Sequence, residues 1–289
     1  MFTLSCESTV DLTLDYLTKL NVPAIAYTYT IDGVEYADDM RASNGLALFY
    51  NQLVAGKMPS TSLINVERYM EFFRSMLEKG DLLHVAFSSA LSGSVSNAFK
   101  AAEQLKAEYP TRKIYVVDST CGCAGYGLLV DALADLRDNG RDIDELYCWA
   151  NDNRYKIHHL FYSTTLKYFR RSGRLSGPAA LFGSLLRIIP IVHINRDGKM
   201  IAYAKAMSES KALAKTLEEI ASTIDGGSEY NGKIWIAHSD YISSANKMAE
   251  ELKIAYPKAS IRIFEIGPVV GSHCGPGTVS VYYWGEPRT

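Results

Sequence analysis

No uninterrupted apolar run in this 289-residue chain approaches the ~20 residues that a helix needs to cross a bilayer, so a helical membrane span is excluded. An excess of charge is missing too. Lysine and arginine total 30 against 32 acids, and no basic cluster interleaves with aromatics. Nucleic acid and an anionic membrane are therefore excluded as main partners, which leaves room only for transient membrane contact. Cysteine is scarce and irregular: Cys6, Cys121, Cys123, Cys148 and Cys274 are odd in number and form no disulfide framework. Cys121-Gly122-Cys123 is tighter than the usual zinc spacing and has no second pair, so no metal is expected. A P-loop is absent, which removes the visible means of binding ATP. The first twenty residues, MFTLSCESTVDLTLDYLTKL, carry acids early and lack a basic segment ahead of an apolar core, unlike a signal peptide. These absences lead us to expect a soluble, cytoplasmic protein.

What is present supports a sizeable core, with 47% apolar and 21% charged residues. In the first half, short apolar runs alternate with amphipathic segments. Residues 12–20 read as a helix capped by Ser8 or Thr9. AIAYTYTIDGVEY, 24–36, reads as two strands joined at Asp32-Gly33. Val66, Met70, Phe73 and Leu77 recur at helical spacing, with Gly80 as the stop. LLHVAF, 82–87, and IYVVD, 114–118, are short strands, each followed by a small-residue loop and a helix. That repeat predicts an α/β fold with a mainly parallel sheet, whose strand ends converge on a ligand.

The second half differs. Helix signals at 141–156 and about 166–187 precede two strands around Asp197-Gly198. A helix at 208–223, the strand KIWIAHS, a helix near 243–255 and the strands SIRIFEIG and TVSVYYW follow. This order predicts a second α/β domain with a mixed or antiparallel sheet, the domains dividing as 1–158 and 159–289.

Two hydroxyl clusters carry the first chemical signal. Ser88-Ser89-Ala90-Leu91-Ser92-Gly93-Ser94 lies between a strand and a helix, where hydroxyls and backbone N–H groups suit a carboxylate or phosphate. Pro59-Ser60-Thr61-Ser62 also precedes a helix. Helix capping is the plainer reading of both. GSHCGPG, 271–277, adds His273, a potentially cationic donor among three glycines. It could serve as base, metal ligand or fixed donor. The missing zinc partners disfavour the second role, and the absence of a G-x-S-x-G elbow disfavours hydrolysis. Arg170, Arg171 and Arg174 belong to the only concentrated basic stretch, 167–174, which reads as a solvated helix end or a docking face for an anionic partner. His158-His159 and the strand histidines His84, His193 and His238 read as structure.

Taken in order, these segments resemble the DegV family of bacterial fatty-acid-binding proteins. Ser8-Thr9-Val10-Asp11-Leu12 is similar to its opening D-S-T-x-D-L, with Glu7 where Asp is usual. Thr61-Ser62 matches the start of T-S-Q-P-S, and Ser88 to Ala98 looks like S-S-x-L-S-G-T-Y-x-S-A. Asp118-Ser119 with Gly125 and Gly127, LKYFRRSGRLS at 166–176, and IGPVVGSHCGPG at 266–277 complete six motifs in the family's order. The resemblance implies two α/β domains with a long-chain fatty acid between them, such as palmitate, stearate or oleate. It places the carboxylate against Thr61, Ser62, Ser92, Gly93, Ser94 and His273, with Arg170, Arg171 and Arg174 supporting that loop or docking a partner. It implies a binding protein rather than an enzyme, with no catalytic residue and no cofactor. The bound acid would be presented to a separate fatty acid kinase, which makes an acyl phosphate for phospholipid synthesis. The alternative is an enzyme related to dihydroxyacetone-type kinases, using His273 on a small carbonyl substrate in a small polar pocket.

Overall fold

Three sheets organise the chain in a computed structural model that describes residues 2–43, 45–176 and 188–289. The first is a four-stranded, wholly parallel sheet of β1 (Phe2–Glu7), β2 (Ala24–Ile25), β6 (Asp81–Ala86) and β7 (Ile114–Asp118), in the order β2-β1-β6-β7. A small antiparallel sheet combines β3 (Thr28–Ile31), β4 (Val34–Ala37) and β5 (Ser60–Ser62), with β3 central. Asp32 and Gly33 turn the β3–β4 hairpin with positive φ values of 51° and 81°, the conformation that the Asp-Gly pair favours.

The third sheet has seven strands in the order β13-β12-β14-β8-β10-β11-β9. These are β8 (Ile157–Ser163), β9 (Leu175–Ser176), β10 (Ile189–Ile194), β11 (Met200–Ala206), β12 (Lys233–Ser239), β13 (Ser260–Glu265) and β14 (Thr278–Trp284). The β12–β13 and β11–β9 pairs are parallel and the others antiparallel, so the sheet is mixed. The expected division at 158/159 falls inside β8.

Helices α1 (Leu14–Lys19), α2 (Gly45–Val54), α3 (Val66–Leu77), α4 (Ser94–Glu108), α5 (Cys123–Asp138) and α6 (Ile143–Asn153) belong to the first half. The others are α7 (Lys167–Ser172), α8 (Glu209–Thr223), α9 (Ile242–Ala255) and α10 (Pro268–Cys274). Nearly all of α5 from Cys123 to Ala134 is buried, because it lies between the parallel sheet and the large sheet. One apolar cluster consequently runs from Leu4, Val85 and Val117 through Leu128 and Leu129 to Val192, Trp235 and Tyr282. Gly125 is what lets α5 approach so closely. A Cβ there would stand 2.3 Å from His159 Nε2 and 2.6 Å from Tyr282.

Several expectations need correction. Neither Ser8 nor Thr9 caps α1: residues 8–10 form a short 3-10 turn, and Thr13 Oγ1 accepts the Tyr16 N–H at 3.2 Å. The Ser8 hydroxyl accepts the Tyr27 N–H instead. Ser60–Ser62 is a strand, and α3 is capped by Asn65, whose side chain accepts the Arg68 N–H at 2.9 Å. The helix expected over 166–187 stops at Ser172, where Gly173 takes a left-handed φ of 66°. Its portion at 177–187 lies outside the described residues.

Candidate functional site

The loops that leave the carboxyl ends of β1, β6 and β7 close over a cavity of about 370 Å³. Thr9 follows β1, Phe87 to Gly93 follow β6, and Gly122 and Cys123 follow β7, as the rule for parallel sheets leads one to look for. The facing wall is Phe161 on β8, Ile194 and Met200 on the β10–β11 hairpin, and Thr278, Ser280 and Tyr282 on β14. Helices α7 and α10 close it with Phe169, Val269, Val270, His273 and Cys274. Apolar side chains dominate these walls, which is not the small polar pocket that the carbonyl-enzyme alternative requires.

Polar groups from both halves of the chain line the cavity as well. Thr61 Oγ1 and His273 Nε2 are 2.8 Å apart, although 212 positions separate them in sequence. Ser62, Ser92, Gly93 and Arg174 line the same cavity. Ser94 stands one layer behind, fully buried, with its hydroxyl accepting the Ile64 N–H at 3.1 Å and lying 3.2 Å from Ser92 Oγ. That bond ties the Ser92 loop to the chain leaving β5. Capping in the expected form is absent: Gly93 holds the cap position of α4, and Ser92 Oγ accepts the Ser94 N–H at 3.3 Å.

The basic stretch is stitched to both hydroxyl segments. Arg171 donates to Pro59 O at 2.6 Å, just ahead of β5, and Arg174 donates to Leu91 O at 3.5 Å and to Ser172 O. Arg170 is exposed on the same helix. Burial first, then Arg174 and Arg171, pushes His273 down to about 4. The imidazole is thus neutral at pH 7, so of the forms the sequence allowed it is the uncharged one that faces the cavity. One nitrogen of a neutral ring still donates.

His159 lines the same cavity but is fully engaged. Its Nε2 accepts the Gly122 N–H at 3.2 Å, so Nδ1 carries the proton and donates to Ile157 O at 3.1 Å. Burial above all, with the Arg288 charge second, holds it far below the usual histidine range.

The glycines around His273 serve packing. Residues 268–274 form α10, and Gly271, Gly275 and Gly277 do not line the cavity. A Cβ at Gly271 would meet Tyr50 Oη at 2.7 Å, and Gly275, at φ 68°, would bring one to 2.0 Å from the Tyr168 ring. They permit close packing of α10 against α2 and α7.

Sequence reasoning missed Tyr27. Its phenol lines the cavity, lies 3.3 Å from Ser92 Oγ and donates to Glu7 Oε2 at 3.3 Å. Thr9 was assigned only to capping. It is buried against the cavity, and its hydroxyl has no partner among the described residues. No local pattern signals either role.

An α/β protein with a parallel and a mixed sheet, enclosing a mainly apolar cavity with hydroxyls and an imidazole in its lining, is the class this geometry defines. Residues 2–286 match the model of the family described as uncharacterised DegV proteins, and the chain belongs to that family. A DegV domain-containing protein of Clostridium perfringens is 37% identical over 288 residues, covering 99% of this chain and 98% of that one. A fatty acid binding DegV family protein of Streptococcus agalactiae superposes with a TM-score of 0.82 at 27% identity, covering 98% of each chain. The fold is shared with the fatty acid kinase B3 protein of Streptococcus pneumoniae, solved loaded with linoleic acid, at a TM-score of 0.84 and 20% identity. That match covers 99% of this chain and all of the other.

Proposed function

We propose that the cavity holds one long-chain fatty acid, its carboxylate at Thr61, Ser62, Ser92, Gly93 and His273 and its acyl chain along the Phe87, Phe161, Phe169 and Val270 walls. The observation that carries this reading is the Thr61–His273 pair in a cavity lined mainly by apolar side chains. Each buried CH₂ contributes about 0.8 kcal/mol, while a desolvated carboxylate needs several donors. Hydroxyls, the backbone near Gly93 and a neutral imidazole are donors of that kind. Ser94 acts from behind, by holding the Ser92 loop.

The protein acts as a carrier rather than as an enzyme, presenting the acid to a separate fatty acid kinase that converts the carboxylate to an acyl phosphate for phospholipid synthesis. The kinship with a fatty acid kinase B protein supports this partnership. Arg170 and Arg171, exposed on α7 beside the headgroup end, serve as the docking face, and Arg174 holds the Ser92 loop. Among the described residues no helix is long and apolar enough to cross a membrane. The reading places the carrier in the cytoplasm, in transient contact with the bilayer that supplies its ligand. Mass spectrometry of an organic extract of the purified protein should find one fatty acid per chain. A ligand-free protein that also ignores added palmitate and oleate overturns the reading.

A further inference from the structure

Glu7 ends β1 as a fully buried carboxylate. Both of its oxygens accept: Oε1 from the Tyr69 hydroxyl at 2.5 Å, and Oε2 from the Phe87 N–H at 3.0 Å and the Tyr27 hydroxyl at 3.3 Å. Three donors converge on the carboxyl, so both of its oxygens are bonded as acceptors. Its remaining polar neighbour is His84, whose Nε2 lies 3.6 Å from Oε1, while His84 Nδ1 pairs with Ser5 Oγ at 2.9 Å. Among the described residues His84, which carries charge only when protonated, is its one ion-pair partner, and no lysine or arginine pairs with it. Tyr27 is the bridge to the cavity, since its phenol oxygen lies 3.3 Å from Ser92 Oγ. Burial, and then the Glu7 charge, keep the Tyr27 phenol protonated far above its usual range.

We propose that Glu7 is a specificity-determining residue that, acting through Tyr27, weakens the hold on the headgroup in proportion to the headgroup's negative charge. The proposal rests on the fatty-acid reading above. Two hydrogen-bond lengths separate Ser92 Oγ from the Glu7 carboxylate, so a ligand carboxylate on Ser92 feels a like charge behind the Tyr27 phenol. Because Glu7 takes the Tyr27 proton, the phenol has none to give the ligand. A carboxylate tolerates this arrangement, with the Thr61 and His273 donors and the Arg174 charge opposite. A headgroup that has gained a phosphoryl group carries about twice the charge and suffers the repulsion twice. Glu7 thus favours release of a phosphorylated product over loss of the acid.

The test uses the full chain and competition against a bound fluorescent fatty acid, with hexadecanoic acid, hexadecan-1-ol and hexadecyl phosphate as competitors. Glu7→Gln keeps an acceptor for Phe87 and Tyr27, removes the charge, and turns an amide NH₂ towards the Tyr69 hydroxyl, which must then accept. It should bind the acid roughly tenfold tighter, the alkyl phosphate roughly a hundredfold tighter, and the alcohol unchanged. Glu7→Asp, which keeps the charge, should retain the wild-type order. Equal shifts for the three competitors, or an Asp variant that behaves like the Gln variant, overturn the proposal. Should Glu7→Gln not fold, the wild type alone decides: the alkyl phosphate must bind at least about tenfold more weakly than the acid, and equal or tighter binding overturns the charge effect. A wild type that binds none of the three refutes the fatty-acid reading, and the proposal falls with it. Binding without discrimination refutes the proposal alone.

Discussion

Thr61, Ser62, Ser92 and Gly93 reach the cavity from an edge strand and a loop of the first half, whereas Phe161, Thr278, Ser280 and Tyr282 face it from β8 and β14, central in the seven-stranded sheet. The two walls hold their polar groups in opposite states. Ser62 and Gly93 are exposed and Thr61 is half-buried, so their donors can turn towards a ligand. On the sheet wall, the Tyr282 hydroxyl donates to Ser280 Oγ at 2.7 Å and Ser280 donates to Ala237 O at 3.1 Å, which uses those groups up. Headgroup chemistry resides on the adjustable wall and the shape of the acyl channel on the fixed one. This is how loops on a rigid scaffold commonly divide the work.

The largest expected effect comes from cutting a tie between the walls. Arg288 is 4% exposed, and its guanidinium donates to Ile194 O and Asn195 O beside β10, to Thr120 O and Oγ1 after β7, and to Arg154 O. Arg288→Ala leaves a row of buried carbonyls without donors and should cost about 3–5 kcal/mol in chemical denaturation. A loss below ~1 kcal/mol would mean that the two walls are held together elsewhere.

Arg288 also marks where sequence reasoning stops. An arginine second from the end of the chain reads as surface, and nothing local reveals five acceptors drawn from three segments. β10 to β14 and the flanking helices were legible because apolar strands, an Asp-Gly turn and helical spacing all agree. β1 and β8 were not. FTLSCE and IHHLFYS bury Ser5, Glu7, His159 and Ser163 in central strands, so neither shows a clean alternation. α10 was hidden by its glycines. Tertiary bonds hold it instead, with Gly267 N–H donating to Asp11 Oδ1 at 2.8 Å and the Tyr50 hydroxyl to Ile266 O just ahead of it. Thr61, Ser92 and His273 were singled out as chemistry-bearing residues, but their meeting point and the Glu7–Tyr27 link behind them depend on a topology that no spacing encodes.

Next in size is the contrast between hydroxyls on the two walls. Thr61→Val should weaken fatty acid binding about five- to tenfold while changing stability by less than ~0.5 kcal/mol. Ser280→Ala should do the reverse, costing about 1 kcal/mol of stability with little change in headgroup preference. Competition binding beside thermal melts checks both. Equal binding losses in the two variants would erase the distinction between the walls.

His273 gives a pH test of the adjustable wall. Folded and empty, it takes up its proton near pH 4, and unfolded near the ordinary value of about 6.5. Between those values the unfolded chain binds more protons, so stability falls as pH drops from about 6.5 to about 4. His273→Gln should abolish this group's share of the fall, on the order of 2 kcal/mol, when denaturation midpoints are compared at pH 7 and pH 4.5. Parallel pH profiles for wild type and variant would show the imidazole to be more solvated than its place beside Thr61 indicates.

The smallest effect concerns the two arginines that stitch α7 to the hydroxyl segments. Both cations disfavour a proton on His273, Arg174 more than Arg171, because Arg174 lines the cavity while Arg171 lies exposed against Pro59. Removing either charge should let His273 titrate higher, and Arg174→Gln should move it further than Arg171→Gln. The difference is expected to be a few tenths of a pH unit, since partly exposed charges are screened. Imidazole nitrogen chemical shifts followed by NMR resolve changes of that size. The opposite order would place Arg171 nearer the imidazole and move the headgroup end towards β5. A bound carboxylate acts in the same direction as removing a cation, so adding ligand to the wild type should raise the titration further than either substitution.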